Sequence, residues 1–307
     1  MKLLSYRVGD GAGSGAARVG VLVDGRVVDI DDQVAQLAVP QAVADRLAGH
    51  GLAPAARGML RLLQAGPDAW QRLSVSPGTG LPLAEVELLA PLPRPGKIVA
   101  VGRNYADHAK ETGVAPFEQP RIIAKLPSSV CGPGSLVRRP GGVSKLDFEV
   151  ELAVVIGSFA QRVPQADALA HVAGYTVLDD ISAREFQFDV SPAQTTFAKS
   201  MDGFCPMGPW LVTRDEIADP QALELSCQVN GQTMQHASTA DMLFPVARLI
   251  EYISRFMTLE PGDVIATGTP AGVGAARKPQ RWLVPGDVVR VEISGLGVLE
   301  NPVVASA

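Results

Sequence analysis

Cysteine is scarce in this chain of 307 residues, which contains only Cys131, Cys205 and Cys227. An odd number of widely spaced cysteines provides neither a disulfide framework nor a Cys-x-x-Cys metal clip, and it indicates a reducing compartment. The chain also lacks a run of 18 apolar residues, and its first residues, MKLLSYRVGDG, become polar too early for a signal peptide. We therefore expect a soluble, cytoplasmic protein that does not bind a membrane.

An excess of basic side chains is absent as well. Lysine and arginine number 27 against 32 aspartate and glutamate residues, and the formal net charge of −5 argues against a nucleic-acid partner. Only 19% of the residues are charged and 47% are hydrophobic, which excludes a disordered chain. Glycine and proline are plentiful, at 31 and 24 residues, and their spread along the chain indicates many turns. This composition favours a strand-rich α+β fold over a helical bundle.

The N-terminal part of the chain differs in pattern from the remainder. Short β-branched runs separated by DGAGSG and DG, followed by helical periodicity, predict strands at 3–8, 18–23 and 26–30 and helices at 40–49 and 54–74. Repeated proline and glycine at 75–97 are typical of a linker. From Lys97 onward strand patterns dominate, with one amphipathic helix near 240–257. We therefore predict a small N-terminal domain at 1–90 and a larger domain at 91–307.

Two carboxylates stand close together on the very apolar predicted strand DFEVELAVVI. Because alternate side chains of a strand face opposite sides, Glu149 and Glu151 share one face while the other face is entirely apolar. Such a pair repels unless a cation neutralises it, and a hard divalent ion prefers oxygen ligands. Asp179 or Asp180, at the end of the strand GYTVL, offers a third ligand, and spacing does not choose between them. The alternative is a solvated sheet face, with Asp180 as a helix cap.

One of only four histidines follows the predicted strand KIVAV. A short helix is expected after Asn104, and His108 and Glu111 then share a helix face at positions i and i+3. A carboxylate one turn away orients an imidazole and raises its basicity, which suits a general base. The alternative is a solvent-exposed pair that stabilises the helix slightly.

Two further segments carry polar groups in apolar surroundings. Lys199, in TFAKSMDGF, is a candidate for stabilising a developing enolate or carboxylate, and the alternative is a lysine that extends to solvent. The glycine-rich run ATGTPAGVG lacks the GK[ST] of a phosphate loop. We interpret it as a tight turn whose amides and Thr269 approach a small anionic ligand, and the alternative is a purely structural turn.

Taken in order, these segments resemble the fumarylacetoacetate hydrolase family. The resemblance rests on GRNYADHAKE, KLDFEVELAVVIG, GYTVLDDISAREFQ, FAKSMDGFCPMGPW and DVIATGTPAGVG, and it covers about residues 97–304. It implies a mixed β-sandwich roll, and residues 1–90 look like the smaller N-terminal domain of the longer bacterial members. Because members of this size are commonly homodimers, the resemblance leads us to expect a homodimer here.

The resemblance also implies a metal site. Members of the family bind a divalent metal, Mg²⁺ or Mn²⁺ and sometimes Ca²⁺, through the Glu-x-Glu strand and a later aspartate. In this sequence the matching residues are Glu149, Glu151 and Asp180, so the resemblance selects Asp180 over Asp179.

Catalytic and substrate-contacting roles follow from the same resemblance. His108 and Glu111 match the catalytic dyad of the family, and Lys199 matches its catalytic lysine. The positions that we assign to substrate binding are Arg184, Gln187, Thr269, Arg103 and Tyr105. For Arg184 and Gln187 the resemblance implies either contact with the pyruvoyl end of the substrate or support of the metal site.

The implied activity is metal-dependent hydrolysis of a C–C bond in a β-diketo acid, which gives pyruvate and a carboxylic acid. The same family scaffold also supports oxaloacetate decarboxylation and the isomerisation or hydration of 2-oxo-enoic acids. The presence of both His108 and Glu111 favours hydrolysis, in which a water molecule must be activated. A binding protein that has lost catalysis is a further alternative, although the sequence retains both dyad residues and Lys199.

Overall fold

Short strands account for most of the regular structure in the computed structural model, which describes residues 1–9, 15–111, 113 and 115–306. The strands are β1 Lys2–Arg7, β2 Arg18–Val23, β3 Arg26–Asp29, β4 Leu81–Pro82, β5 Glu87–Leu89, β6 Ile98–Gly102, β7 Arg121–Lys125, β8 Val130–Cys131, β9 Val137–Arg139, β10 Leu146–Asp147, β11 Val150–Ile156, β12 Val172–Asp179, β13 Ser182–Ala183, β14 Cys205–Thr213, β15 Glu224–Val229, β16 Gln232–Ser238, β17 Val264–Ala266, β18 Val288–Ile293 and β19 Gly297–Ala305. The α-helices are α1 Asp31–Gln36, α2 Gln41–Ala48, α3 Gly58–Ala65, α4 Pro67–Trp70, α5 Ala106–Glu111, α6 Thr195–Ala198 and α7 Val246–Ser254. The strand-rich α+β class predicted from the composition is confirmed.

A large mixed sheet forms the centre of the protein. Its strand order is β4-β3-β2-β1-β14-β12-β11-β17-β6-β7, with β5 beside β1 and β8 beside β14. A second sheet has the order β16-β15-β18-β19-β9, and β10 and β13 form a small separate pair. Strand β1 pairs antiparallel with β14, with Leu3 opposite Leu211, so the N-terminal strands extend the same sheet as the later ones.

Strand β11 is buried on both faces because apolar layers cover both sides of the large sheet. On one face Val150, Leu152 and Val154 pack in a core that also contains side chains of the second sheet and of α7. On the other face Ala153 and Val155 pack in a core shared with α1, α3 and β1. The predicted alternation of this strand is therefore confirmed. Because it lacks a solvated face, the alternative of an exposed Glu-x-Glu sheet surface is wrong.

The hairpin signals of the N-terminal part are confirmed in one case. Asp24 and Gly25 connect β2 to β3 with φ of 48° and 74°, the positive values that a two-residue type I′ turn requires. The other signal, DGAGSG, falls mainly on residues 10–14, which lie outside the described residues.

The stretch 75–97 is more ordered than the linker that its prolines and glycines predict. It contains β4, which pairs with β3, and β5, which pairs with β1. Proline is compatible with β4 because this strand lies at the edge of the sheet, where one row of backbone groups needs no partner. The division of the chain near residue 90 remains a prediction, with both parts contributing to one sheet.

The helix predicted at 54–74 is interrupted. Residues 58–65 and 67–70 form the separate helices α3 and α4, and Gly66 between them has a φ of 84°. A left-handed residue followed by a proline ends one helix and begins the next. The helix predicted at 40–49 is confirmed as α2.

The amphipathic helix predicted near 240–257 is shorter than its apolar pattern indicates. Helix α7 begins after Pro245, because proline favours the first turn of a helix and holds the preceding residue in an extended conformation. Leu243 lies before the helix, and Phe256 lies beyond its end with 74% of its surface exposed. The buried stripe therefore consists of Val246, Leu249, Ile250 and Ile253.

The large sheet brings four chain segments to one place. Strands β6 and β17 are parallel neighbours, so the segments that follow Gly102 and Ala266 leave the sheet at the same end. Strand β11 is antiparallel to β17, and therefore begins where β17 ends. Its other neighbour, β12, runs antiparallel to it, with Val150 opposite Asp179. The Glu-x-Glu segment, the paired aspartates, α5 and the glycine-rich loop consequently meet.

Membrane-spanning helices are not found: no helix in the described part of the chain is long and apolar enough to cross a bilayer. The three cysteines are free thiols, as their spacing predicts.

The close contact between β12 and β14 generates a stability prediction. A Cβ atom at Gly174 would lie 2.1 Å from the carbonyl oxygen of Val212, whereas Gly141 has open space around it. Gly174→Ala should therefore reduce the free energy of unfolding in urea by about 1–3 kcal/mol. Gly141→Ala, the matched control, should change it by no more than about 0.5 kcal/mol. Equal stability of the two variants would contradict this packing.

Candidate metal centre and active site

Three buried carboxylates form the centre of the site. Glu149, Glu151 and Asp180 each offer one oxygen, and these oxygens lie within 4.8 Å of one another. The exposed fractions are 5%, 2% and 1%, so these side chains are removed from bulk water. Asp179 is turned away, because its Oδ1 accepts a hydrogen bond from the Glu149 N–H at 2.9 Å. The structure thus groups Asp180, and not Asp179, with the Glu-x-Glu pair.

Two buried lysines contact this carboxylate group. The Nζ of Lys199 donates hydrogen bonds to Glu149 Oε2 at 2.8 Å, Asp180 Oδ2 at 2.6 Å and Ser182 Oγ at 2.8 Å, so all three ammonium hydrogens have acceptors. The Nζ of Lys125 donates to Asp180 Oδ1 at 2.6 Å and to two backbone carbonyls. Lys199 is therefore a buried counter-charge, and the alternative of a lysine extended to solvent is wrong.

Arg184 holds the other side of Glu149. Its Nη2 donates to Glu149 Oε1 at 2.7 Å, its Nε to Asp147 Oδ2 at 2.8 Å and its Nη1 to Gln187 Oε1 at 2.7 Å. The guanidinium fork thus fixes two carboxylates and one amide in a single arrangement. Arg184 and Gln187, predicted either to contact substrate or to support the metal site, lie together at the edge of the carboxylate group.

The two glutamates of the Glu-x-Glu pair differ in their electrostatic environment. Burial alone would raise the pKa of Glu149, but the charges of Lys199 and Arg184 hold it well below its usual range. Burial raises the pKa of Glu151, and the negative charges of Asp180 and Glu149 raise it further. Glu151 accepts a hydrogen bond from the Gly268 N–H at 2.8 Å, and no described residue forms an ion pair with it. Glu151 is thus the carboxylate for which a cation is most needed.

The balance of buried charge fits a divalent cation. Five buried carboxylates, Asp147, Glu149, Glu151, Asp179 and Asp180, lie in the same region as three buried cationic side chains, Lys125, Arg184 and Lys199. Counted in their ionised forms, these eight buried groups leave two negative charges uncompensated, and burial makes such an imbalance costly. An all-oxygen donor set suits Mg²⁺, Mn²⁺ or Ca²⁺. Glu149, Glu151 and Asp180 are the residues that would hold the ion.

The predicted dyad is formed within α5. His108 Nδ1 lies 2.7 Å from Glu111 Oε1, and the exposed fractions of the two side chains are 8% and 20%. The Oε2 of Glu111 accepts a hydrogen bond from the Gly272 N–H at 2.9 Å, which fixes the carboxylate on its far side. A largely buried, doubly held pair is not the solvent-exposed pair that was the alternative. Glu111 positions the imidazole, and His108 lines the cavity next to the carboxylate group.

The amides of the glycine-rich loop bind protein carboxylates. Gly268 N–H donates to Glu151, Gly272 N–H to Glu111 and Gly274 N–H to Asp147, at 2.8, 2.9 and 2.7 Å. Gly272 has a φ of 107°, and a Cβ atom there would lie 2.2 Å from the Met234 carbonyl oxygen. The expectation that these amides approach an anionic ligand is therefore wrong for these three. They hold the side chains of the site in place.

One cavity collects most of the predicted site residues. Its lining includes His108, Glu149, Glu151, Asp180, Arg184, Gln187, Lys199, Thr269 and Arg103. Thr269 is fixed there, because its Oγ1 accepts a hydrogen bond from Gln235 Nε2 at 2.7 Å. Tyr105 is absent from the described lining: it is 2% exposed in the hydrophobic core, and its hydroxyl has no hydrogen-bond partner among the described residues. The structure thus does not place Tyr105 in the cavity wall.

Three residues that support the site were not predicted from the sequence. Lys125 lies in the strand RIIAK with nothing local to distinguish it from a surface lysine. Asp147 stands directly before the Glu-x-Glu strand, and its position was a usable signal. Asn104 is fully buried, donates to the carbonyls of Phe244 and Thr267, and so fixes the chain where it enters α5.

Comparison with known proteins is consistent with this geometry. The family model of the fumarylacetoacetate hydrolase C-terminal region matches residues 97–304. The chain therefore belongs to the fumarylacetoacetate hydrolase family, a family of enzymes with metal-dependent members. The resemblance carried by the five motifs is thereby confirmed.

The chain is similar to several proteins that are described as catalysing different reactions. The mitochondrial oxaloacetate tautomerase FAHD2A of Bos taurus is 48% identical over 224 residues, which cover 73% of this chain and 71% of that protein. A fumarylacetoacetate hydrolase from psychrophilic Exiguobacterium antarcticum has a TM-score of 0.79 at 36% identity, with full coverage of both chains. Maleylpyruvate hydrolase from Sphingobium sp. SYK-6, solved with manganese (II) and pyruvate, has a TM-score of 0.72 at 30% identity, again with full coverage.

The repulsion at Glu151 generates a prediction about metal binding. Glu151→Gln should lower the affinity for Mn²⁺ or Mg²⁺ by at least about 10–100-fold, the cost of losing a group that only supports a ligand, measured by isothermal titration calorimetry. Because the substitution also removes one of three adjacent negative charges, the metal-free variant should unfold at a higher temperature than the metal-free parent. Glu85→Gln, at an exposed position, is the matched control and should change neither quantity. Unchanged metal affinity in Glu151→Gln would remove this residue from the ligand set.

Proposed function

We propose that this protein is a divalent-metal-dependent hydrolase that cleaves the C3–C4 bond of a 2,4-dioxo acid, giving pyruvate and a carboxylic acid. The observation that carries the proposal is the position of the His108–Glu111 pair, which is held at a cavity lined by the three-carboxylate group. A general base beside a candidate metal site is the arrangement needed to activate water next to a bound keto acid.

Glu149, Glu151 and Asp180 would hold the ion, and their oxygen ligands are equally suited to Mg²⁺ and Mn²⁺. When bound, the divalent cation would supply a Lewis acid for the 2-oxo group and a counter-charge for the carboxylate of the substrate. The manganese in the similar maleylpyruvate hydrolase structure supports this choice of ion class.

His108 accepts a proton from water in the proposed reaction, while Glu111 orients the ring and stabilises the imidazolium that forms. The water oxygen attacks C4, the C3–C4 bond breaks, and its electron pair remains on C3 as the enolate of pyruvate. The proton then moves to C3. The overall change consumes one water and yields one pyruvate and one carboxylate, so no oxidant or reductant is required.

Arg184 and Lys199 have a charge-balancing role in this scheme. Both bind Glu149, which keeps this carboxylate ionised and its oxygens in a fixed position. All three hydrogens of the Lys199 ammonium are used by protein acceptors. Its proposed contact with the enolate therefore requires one of these bonds to be exchanged for a bond to the substrate. Thr269 and Gln187 complete the polar lining at this end of the cavity.

A second candidate is keto–enol interconversion of oxaloacetate. The observation that favours it is the 48% identity with oxaloacetate tautomerase FAHD2A of Bos taurus. In this reaction His108 would move a proton between C3 and the 2-oxo oxygen, and no water would be added. The metal site and the dyad would be used in both reactions, while only hydrolysis releases pyruvate from a 2,4-dioxo acid. Decarboxylation of oxaloacetate and isomerisation of a 2-oxo-enoic acid are further outcomes that the same assays would reveal.

The role of His108 generates a kinetic prediction. His108→Gln should reduce kcat for pyruvate release by at least about 100-fold, the usual contribution of a positioned general base. Its affinity for Mn²⁺, measured by calorimetry, should remain close to that of the parent because His108 is outside the carboxylate group. His50→Gln, at an exposed position, serves as the control. If the His108→Gln variant still releases pyruvate at the parental rate, His108 is not the general base.

The two candidate reactions can be distinguished by the substrate that the protein converts. Protein treated with a chelator should release no pyruvate from 2,4-dioxopentanoate and should regain activity with Mg²⁺ or Mn²⁺. Oxaloacetate is assayed in parallel, by ultraviolet absorbance for the enol and by a coupled assay for pyruvate. Metal-dependent loss of the enol, with no cleavage of any 2,4-dioxo acid, would contradict the proposed hydrolase and favour the tautomerase.

The expected homodimer remains a prediction, which light scattering after size-exclusion chromatography tests.

A further inference from the structure

Two arginines form part of the cavity wall outside the carboxylate group. Arg121 is the residue opposite Gly102 in the β6–β7 ladder, and Arg103 follows Gly102 directly. Both side chains line the same cavity as the three carboxylates and His108. The Arg121 side chain packs beside Gly102, since a Cβ atom built there would lie 3.6 Å from the Arg121 Cδ and Nη1, an ordinary contact distance. The guanidinium of Arg121 therefore lies over the end of β6.

These two arginines differ from the other cationic side chains of the cavity in having no carboxylate partner. Arg184 and Lys199 are both engaged by Glu149. Among the described residues no carboxylate lies within 4.0 Å of Arg103 or Arg121. The guanidinium carbon of Arg103 lies 5.7 Å from the centre of the Phe117 ring, which leaves the donors of its fork available.

The two charges are close enough to affect each other. Burial lowers the pKa of Arg103, and the positive charge of Arg121 lowers it further. Arginine remains charged under all ordinary conditions, so the pair is a fixed concentration of positive charge at the cavity wall. Both side chains are partly exposed, which allows them to be reached by a ligand. Surface arginines of this kind are usually solvated, but here both point at the cavity that contains the candidate metal centre.

We propose that Arg103 and Arg121 bind a second carboxylate at the distal end of the substrate, so that the enzyme prefers 2-oxo dicarboxylates to 2-oxo monocarboxylates. The inference rests on the proposed function, in which the 2-oxo acid end of the substrate binds at the three-carboxylate group. Guanidinium groups bind carboxylates through paired, charge-assisted hydrogen bonds. A ligand with one negative end at the metal and another at the arginine pair would neutralise the unpaired charge that remains there.

Calorimetric titration of the Mg²⁺-loaded protein with four unreactive acids tests the proposal. The dicarboxylates are 2-oxoglutarate and 2-oxoadipate, and their monocarboxylate counterparts of equal chain length are 2-oxopentanoate and 2-oxohexanoate. Each pair differs only in the distal carboxylate, so the ratio of the two affinities isolates its contribution. At least one dicarboxylate should bind about tenfold or more tightly than its counterpart, because a site with charged donors discriminates strongly against a ligand that cannot pair with them.

Three substitutions locate the source of the preference. Arg121→Gln and Arg103→Gln should each bring the ratio below about threefold, and Arg121→Lys should keep part of it, since lysine retains the charge without the fork. Arg72→Gln, at an exposed position outside the cavity, is the matched control and should leave the ratio unchanged. Thermal unfolding of each variant shows whether it is folded. Loss of the preference in either glutamine variant, with Arg72→Gln unaffected, supports the proposal.

Other outcomes overturn it. Equal affinities of the wild-type protein for both pairs, or a preference that survives both glutamine substitutions, would exclude the arginine pair as a carboxylate site. If the protein binds the monocarboxylates but shows no preference, only this inference fails. If it binds none of the four acids, the metal centre does not hold a 2-oxo acid, and the proposed function fails together with it.

Discussion

The structure of the site depends on one constraint, which is that carboxylates buried away from water must be neutralised. A single unpaired buried charge costs several kcal/mol even after relaxation, and this region contains five carboxylates against three cationic side chains. Lys125, Arg184 and Lys199 contact Asp147, Glu149 and Asp180 and supply the counter-charge for three of the five carboxylates. Their positions leave Glu151 as the carboxylate without an ion pair among the described residues. The buried carboxylates therefore favour a bound cation even in the absence of substrate.

The glycine-rich loop after β17 couples the parts of the site that different elements provide. Its amides bind Glu151 on β11, Glu111 at the end of α5 and Asp147 on β10. Each of these three carboxylates belongs to a different part of the site: the three-carboxylate group, the His108–Glu111 pair and the support of Arg184. A shift of the loop would therefore move all three units together. The loop can approach this closely only with glycine at positions such as Gly272, because a side chain there would collide with the neighbouring backbone.

The sequence predicted what is encoded locally. The alternation of β11, the shared strand face of Glu149 and Glu151, and the pairing of His108 with Glu111 all follow from periods of two and of three to four residues. Lys125 was missed because its partner, Asp180, is 55 positions away and only sheet pairing brings the two together. The placement of Tyr105 in the core also depends on a distant segment, since Tyr105 pairs with Met242. The helix at 240–257 was predicted too long because its apolar period outweighed the effect of Pro245.

Membership of the family does not by itself identify the reaction. Proteins described as a tautomerase, a fumarylacetoacetate hydrolase and a maleylpyruvate hydrolase are all similar to this chain, so the family fold does not select the reaction. Enolisation of a 2-oxo acid needs only a cation and a base. The carboxylate group would hold the cation, and His108 is the proposed base. Hydrolysis needs in addition a substrate whose C4 is held next to an activated water. If Arg103 and Arg121 bind the distal carboxylate as proposed, this part of the wall would determine how the distal end of a substrate is placed, and therefore which of these reactions its geometry permits.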